Sequence, residues 1–220
     1  FVPQYSPYHW RKIPEKAHKY DPEKAKQLLD DLDFVDSDDD GFREDVDGNK
    51  LSLTLVTNSG NSTRETIAQM LAQEAAAIGV EINFEAVEYE ELVEKIGTSY
   101  DWELAILGLT DSIDPVHLSN VFPSNGNLHL IEPGREEPRR EWEQRVDKAW
   151  DKANLTLDEG QRKAGFQTVQ QIWIEELPWV YTYAPAYLVA GKSRWKNFKP
   201  RPAEGYRWEG FVHAVYQKEE

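Results

Sequence analysis

Between Leu51 and Leu109 the apolar residues switch repeatedly between strand and helix spacing, and this constrains the fold more than any other feature of the chain. Leu51, Leu53 and Leu55 alternate with Ser52, Thr54 and Val56, which predicts a strand with one apolar face. Residues 62–78 place Ile67, Met70, Leu71, Ala75 and Ile78 on one side of a helix, and Gly79 is set to end it. A strand over Glu81–Val87, a helix over Tyr89–Ile96 and a buried strand over Trp102–Leu109 complete the series. This order is the pattern of a parallel α/β sheet with right-handed crossovers.

The flanks add helices. Asp21 before Pro22 is an N-cap followed by proline at the first helical position, and Ala25, Leu28, Leu29 and Leu32 continue at helical spacing. Residues 138–154 place Trp142, Val146, Ala149, Trp150 and Ala153 on one face. Asp158 starts another helix through Phe166, Val169, Ile172 and Trp173, stopping before Pro178. Trp142, Trp150 and Trp173 are expected to pack on the sheet, and Trp179–Val189 to form a further strand, with Trp179, Tyr181 and Tyr183 on one face. Residues 1–19, rich in proline without a sustained period, read as extended. No repeat, low-complexity tract or interdomain linker interrupts the chain.

Composition excludes several functions. Forty acidic against twenty-five basic residues give a formal charge of -15, which repels nucleic acid and anionic bilayers alike. No stretch approaches the roughly 20 apolar residues of a membrane-spanning helix. Cysteine is absent, so disulfides and thiolate metal sites are excluded. His9, His18, His117, His129 and His213 have no metal-ligand spacing, and neither H-E-x-x-H nor G-x-S-x-G occurs. Gly191-Lys192-Ser193 lacks the first glycine of a phosphate loop, Ala186 standing in its place. Glu88, Glu90 and Glu91 read as a solvated helix start rather than a glycosidase pair. The expected chemistry is binding, not catalysis.

The candidate binding residues follow the strand Trp102–Leu109, because loops at the ends of buried strands are where ligands sit. Asp111 and Asp114, with Pro115 fixing the turn after them, offer carboxylates suited to an ammonium group; the alternative is that Asp111 or Ser112 only caps a turn. Asn120, Ser124, Asn125, Asn127 and His129 supply neutral donors and acceptors suited equally to peptide backbone and sugar hydroxyls, or form a solvated loop tolerant of left-handed backbone. Of the eight tryptophans most read as core, while Trp10 and Trp208 are the candidates for stacking on a ligand or on a missing lobe.

A separate acidic loop, Asp36, Asp38, Asp40, Gly41, Phe42, Glu44 and Asp47, matches the calcium-loop pattern of acidic oxygens at positions one, three and five with glycine at six. Position twelve carries Asp47 where a bidentate Glu is usual, and the loop joins a helix to a strand, so it is not an EF-hand. The competing reading is an acidic turn relieved by water and ions. A calcium ion here would be structural.

The segments YDPEKAKQLLDDL, DSDDDGFRED, WELAILGLTDSIDPVHLSNVFPSNGNLHL and SRWKNFKP together resemble the C-terminal lobe of solute-binding proteins of peptide-type ABC importers, the dipeptide- and oligopeptide-binding family 5, over nearly the whole chain. The resemblance implies a periplasmic-binding-protein-like type II lobe, α/β, with a mostly parallel central sheet flanked by helices. It implies one C-terminal lobe over 1–220, with 1–19 and 200–220 as extended segments near a hinge or a missing N-terminal lobe, and a signal peptide, often with a lipid-attached cysteine, ahead of both. Such a protein works in the periplasm or outside the cell, binds oligopeptides between two hinged lobes, and delivers them to a membrane permease. Asp111 matches the acid of the family's Asp-x-x-acid-Pro motif that salt-bridges a peptide's amino terminus. Oligosaccharide-binding relatives keep a sugar ligand open, and a glycan-processing enzyme or a structural or signalling module are the readings from other classes.

Overall fold

The structure, a computed structural model, describes residues 2–110, 112–131, 138–185, 192–197 and the backbone of 216–217. These fall into two compact units, one of Phe1–Lys16, Thr110–Gly126 and Glu136–Glu220, the other of Ala17–Leu109 and Asn127–Arg135.

The second unit holds the sheet. Its first helix is α2 (Pro22–Asp30), which follows a single helical turn, α1 (Ile13–Lys16), that belongs to the other unit. Asp21 caps α2 by accepting from the Lys24 amide at 2.9 Å, as its position before Pro22 predicts. Strand β1 (Ser52–Asn58) lies between β2 (Glu81–Val87) and β3 (Leu104–Ala105), parallel to both, in a register that pairs Ser52 with Glu81 and Leu55 with Leu104. Helix α3 (Ser62–Ala76) connects β1 to β2, and α4 (Tyr89–Glu94) with a π-turn over Lys95–Ser99 connects β2 to β3. Leu55, Ala68 and Ile106 form the core here, with Ile67, Ile82, Phe84 and Leu104 packed against them.

Three details differ from the sequence reading. Val56 and Thr57 are buried as well as Leu55, because β1 is the central strand and is covered beyond a single face. Met70 is 60% exposed, since it lies two positions, about 200° round the helix, from Ala68, the residue that α3 buries. The regular part of β3 is two residues rather than eight. The Glu103 carboxylate takes the Thr54 amide at 2.6 Å and the Thr57 hydroxyl donates to the Ile106 carbonyl at 2.9 Å, so side chains replace ladder bonds at both ends of the pairing.

The first unit is built on α5 (Glu141–Asn154) and α6 (Glu159–Glu176), joined by residues 155–158. Asp158 caps α6 through the Gln161 amide at 2.7 Å. The helices approach closely at Gly165, where an added Cβ would sit 2.7 Å from the Ala153 Cβ. Trp142, Trp150 and Trp173, expected to pack on the sheet, find ring partners within this unit. Trp173 meets Phe122 edge-on at 5.0 Å and Trp142 at 5.9 Å, and Trp150 lies 5.2 Å from Phe166. Aromatic stripes on two adjacent helices thus satisfy each other, which sequence spacing alone does not distinguish from packing on a sheet.

Residues 2–16 are not extended. Turns close through Ser6 N–H to the Pro3 carbonyl at 2.9 Å and His9 N–H to the Ser6 carbonyl at 3.2 Å before α1 begins. Residues 179–185 form no strand, and 186–189 of that predicted element lie outside the described residues. Strand β4 (Trp195–Lys196) pairs antiparallel with β5 (Tyr216–Gln217), within a tail read from sequence as extended.

Candidate ligand-binding site

The loop that follows the strand region is a built platform from residue 112 to 126. Asp114 caps a 3-10 turn, Pro115–Leu118, by accepting from the Val116 amide at 3.1 Å. Pro115, Leu118, Val121 and Phe122 are buried, and Phe122 is held between Trp150 and Trp173. Ser124 donates its amide and hydroxyl to Asp147 of α5 at 2.8 and 2.6 Å. The Ser6 hydroxyl donates to the Ile113 carbonyl at 2.5 Å. At Gly126 an added Cβ would lie 2.4 Å from the Asn120 carbonyl oxygen, so the loop closes on itself only with glycine there.

Around this frame the polar residues divide. Asn120, Asn125 and His117 are exposed on the loop, where they can donate to and accept from a ligand. Ser124 is spent on Asp147. Asn127, exposed, and His129, 2% exposed, belong to the other unit. Trp10 is half-buried, with its backbone amide donating to Gln170 Oε1 at 3.0 Å. Asp111 and Trp208 lie outside the described residues.

Asp114 is engaged within the protein. Arg162 of α6 donates from Nη2 to both its oxygens, at 2.9 and 3.0 Å. Sequence reading did not single out Arg162. It is one more charged residue in the polar first turns of a helix, and no local signal ties it to an acid 48 residues away. Burial pulls its guanidinium pKa down, but hydrogen bonds to Tyr8 and Asp114 outweigh that and leave it raised, so it stays charged.

The acidic loop brings carboxylate oxygens of Asp36, Asp38 and Asp40 within 4.8 Å of one another, all three side chains exposed. Gly41 N–H donates to Asp36 at 3.0 Å, Asp40 N–H to Asp38 at 3.2 Å, and Lys50 pairs with Asp40. The lysine holds the Asp40 pKa below its ordinary value, chiefly through that hydrogen bond. Phe42 has Lys50 over its ring at 4.8 Å. Glu44 turns elsewhere: it is 5% exposed and accepts from the Ser37 amide and hydroxyl at 2.8 and 2.9 Å. Asp47 is exposed and its amide donates to Asp45 at 2.9 Å. Three clustered carboxylates with a single lysine repel one another. Asp38→Asn, which keeps the acceptor for Asp40 N–H, is therefore expected to raise the melting temperature slightly in the presence of a chelator. Under millimolar calcium, a melting temperature that instead falls below wild type would show that an ion uses Asp38.

Bacterial extracellular solute-binding proteins, family 5 Middle, match residues 1–128, more than half of the chain. The chain belongs to that family. The oligopeptide-binding protein AppA of Bacillus subtilis is 28% identical over 211 residues, 92% of this chain and 36% of that protein. The solved structure of AppA with a nonapeptide aligns over 97% of this family 5 chain and 41% of its own, at 23% identity and a TM-score of 0.72. MelB from Agrobacterium fabrum, solved with stachyose, aligns over 79% and 27% at 16% identity and a TM-score of 0.71. The fold is that of the type II periplasmic-binding proteins, and the chain spans about a third of the length of the curated relatives it matches. These matches are to binding proteins, not enzymes. Among the described residues no helix is long and apolar enough to cross a membrane.

Proposed function

We propose that this chain is the C-terminal ligand-binding part of an ABC importer's extracytoplasmic solute-binding protein, one that takes oligopeptides between two hinged lobes and presents them to a membrane permease. The observation that carries this reading is the pinned loop 112–126, which leaves Asn120 and Asn125 exposed and follows directly on Asp111, the residue that matches the family's ammonium-binding acid. Asp114 is removed from that role by Arg162. The protein acts by binding alone. Each lobe supplies part of the contacts, closure expels water, and polar contacts strengthen as the local dielectric falls. The N-terminal lobe and the permease are its partners, and the periplasm or the cell exterior, with or without a lipid anchor, is its location.

A sugar ligand is the second reading, favoured by the likeness of fold to MelB, a protein solved with stachyose. Asp111→Asn in the complete protein separates the two. Replacing a carboxylate that holds an ammonium group by a neutral amide removes a charge-assisted bond of about 1.5–3 kcal/mol, so peptide affinity is expected to fall about tenfold or more. Titration calorimetry with unchanged peptide affinity would remove Asp111 from the site, and tight oligosaccharide binding indifferent to the substitution would favour the sugar.

A further inference from the structure

Arg162 makes more contacts than the charge balance of Asp114 requires. Besides the two bonds to Asp114, its Nε donates to the Tyr8 hydroxyl at 3.2 Å and its Nη1 to the Ala153 carbonyl, in the last turn of α5, at 3.4 Å. Its guanidinium plane lies 5.6 Å from the Tyr8 ring centroid and 5.0 Å from that of Phe166. One cation thus joins the strand-end loop, the leading segment and both long helices, all inside one compact unit. The side chains of Arg162 and Asp114 are 19% and 34% exposed, so solvent screens the pair less than an open surface pair. A planar fork suits this set of bonds, and a lysine could make only part of it.

We infer that Arg162 is a positioning and specificity residue of the ligand site, acting through Asp114; the inference rests on the reading of loop 112–126 as a ligand contact. Arg162 holds the loop at Asp114, whose second task is to cap the 115–118 turn, and so fixes where the exposed Asn120 can point. It also compensates the Asp114 charge, so that this acid is not offered to the ligand. A site with Asp114 silenced suits a ligand with a single ammonium group, whereas an uncompensated Asp114 would draw extra basic side chains.

The test is capture of a random library of peptides two to nine residues long by the complete protein, weighed by mass spectrometry, with melting temperatures recorded beside it. Arg162→Gln is expected to lower overall capture affinity by about 2- to 30-fold, the range by which residues away from a ligand modulate its binding. It should also shift the captured set toward peptides carrying Lys or Arg. Arg162→Lys is expected to keep the wild-type composition while recovering only part of the affinity. Adding Asp114→Asn to Arg162→Gln should abolish the basic shift, a readout that a purely structural role would not move. Should the Gln variant fail to fold, Asp114→Asn alone, which leaves Arg162 uncompensated, is expected to shift capture toward acidic peptides. A folded set of variants capturing the wild-type peptides with wild-type affinity overturns the inference. Failure of the wild-type protein to capture any peptide would instead overturn the peptide reading beneath it.

Discussion

Trp173→Ala is expected to lower the unfolding free energy by about 3–5 kcal/mol, the range for emptying a buried aromatic site. Trp173 is 1% exposed and stands between Phe122 of the loop, Trp142 of α5 and Trp179 beyond α6. The neighbours are rings held by their own backbones, so they cannot collapse far into the space, and the cost should lie toward the upper end. The effect is expected to reach the candidate site as well, because Phe122 anchors loop 112–126. Urea denaturation of the complete protein is the check: the midpoint falls while the slope stays nearly constant. A loss under about 1 kcal/mol would mean that the aromatic cluster is looser than its ring distances imply.

Gly165→Leu is expected to destabilise by about 3 kcal/mol, at the high end for overpacking. Even a Cβ at this position would lie 2.7 Å from the Ala153 Cβ and 3.0 Å from the Ala149 carbonyl oxygen, so neighbouring backbone as well as a methyl stands in the way. The two helices must part to admit the larger side chain, and Arg162, three residues earlier, bonds the Ala153 carbonyl that would be displaced. Gly97→Ala is the control: nothing lies within 4 Å of an added Cβ there, so a near-neutral change is expected. Equal melting temperatures for Gly165→Leu and wild type would contradict the close approach of α5 and α6.

How far the fold could be read in advance depended on how local each signal was. Strand β2 spans Glu81–Val87 as expected, and α2 and α6 begin at caps whose side chains bond the amides expected of them. Gly79 ends the α3 region with φ of 84°, as a left-handed stop requires. The length of β3 was not legible, because Glu103 and Thr57 divert bonds that an isolated apolar run has no means of signalling. The partner of the tryptophan stripes was not legible either, since an amphipathic helix states which face is buried and not against what. At the candidate site, polar content and position mark the strand-end loop in the sequence, but how its side chains divide between internal bonds and solvent was not legible. Ser124 and Asp114 look in sequence like ligand donors and acceptors, and are engaged instead by Asp147 and Arg162, residues 23 and 48 positions away.

Native mass spectrometry of the complete protein, purified without denaturation, tests the ligand assignment most directly. A ladder of copurified peptide masses is the expected result, and it would place Asp111 as the ammonium partner next in line for substitution. Hexose increments in the captured mass would contradict the peptide assignment and move the weight of binding to the exposed asparagines and the aromatic residues.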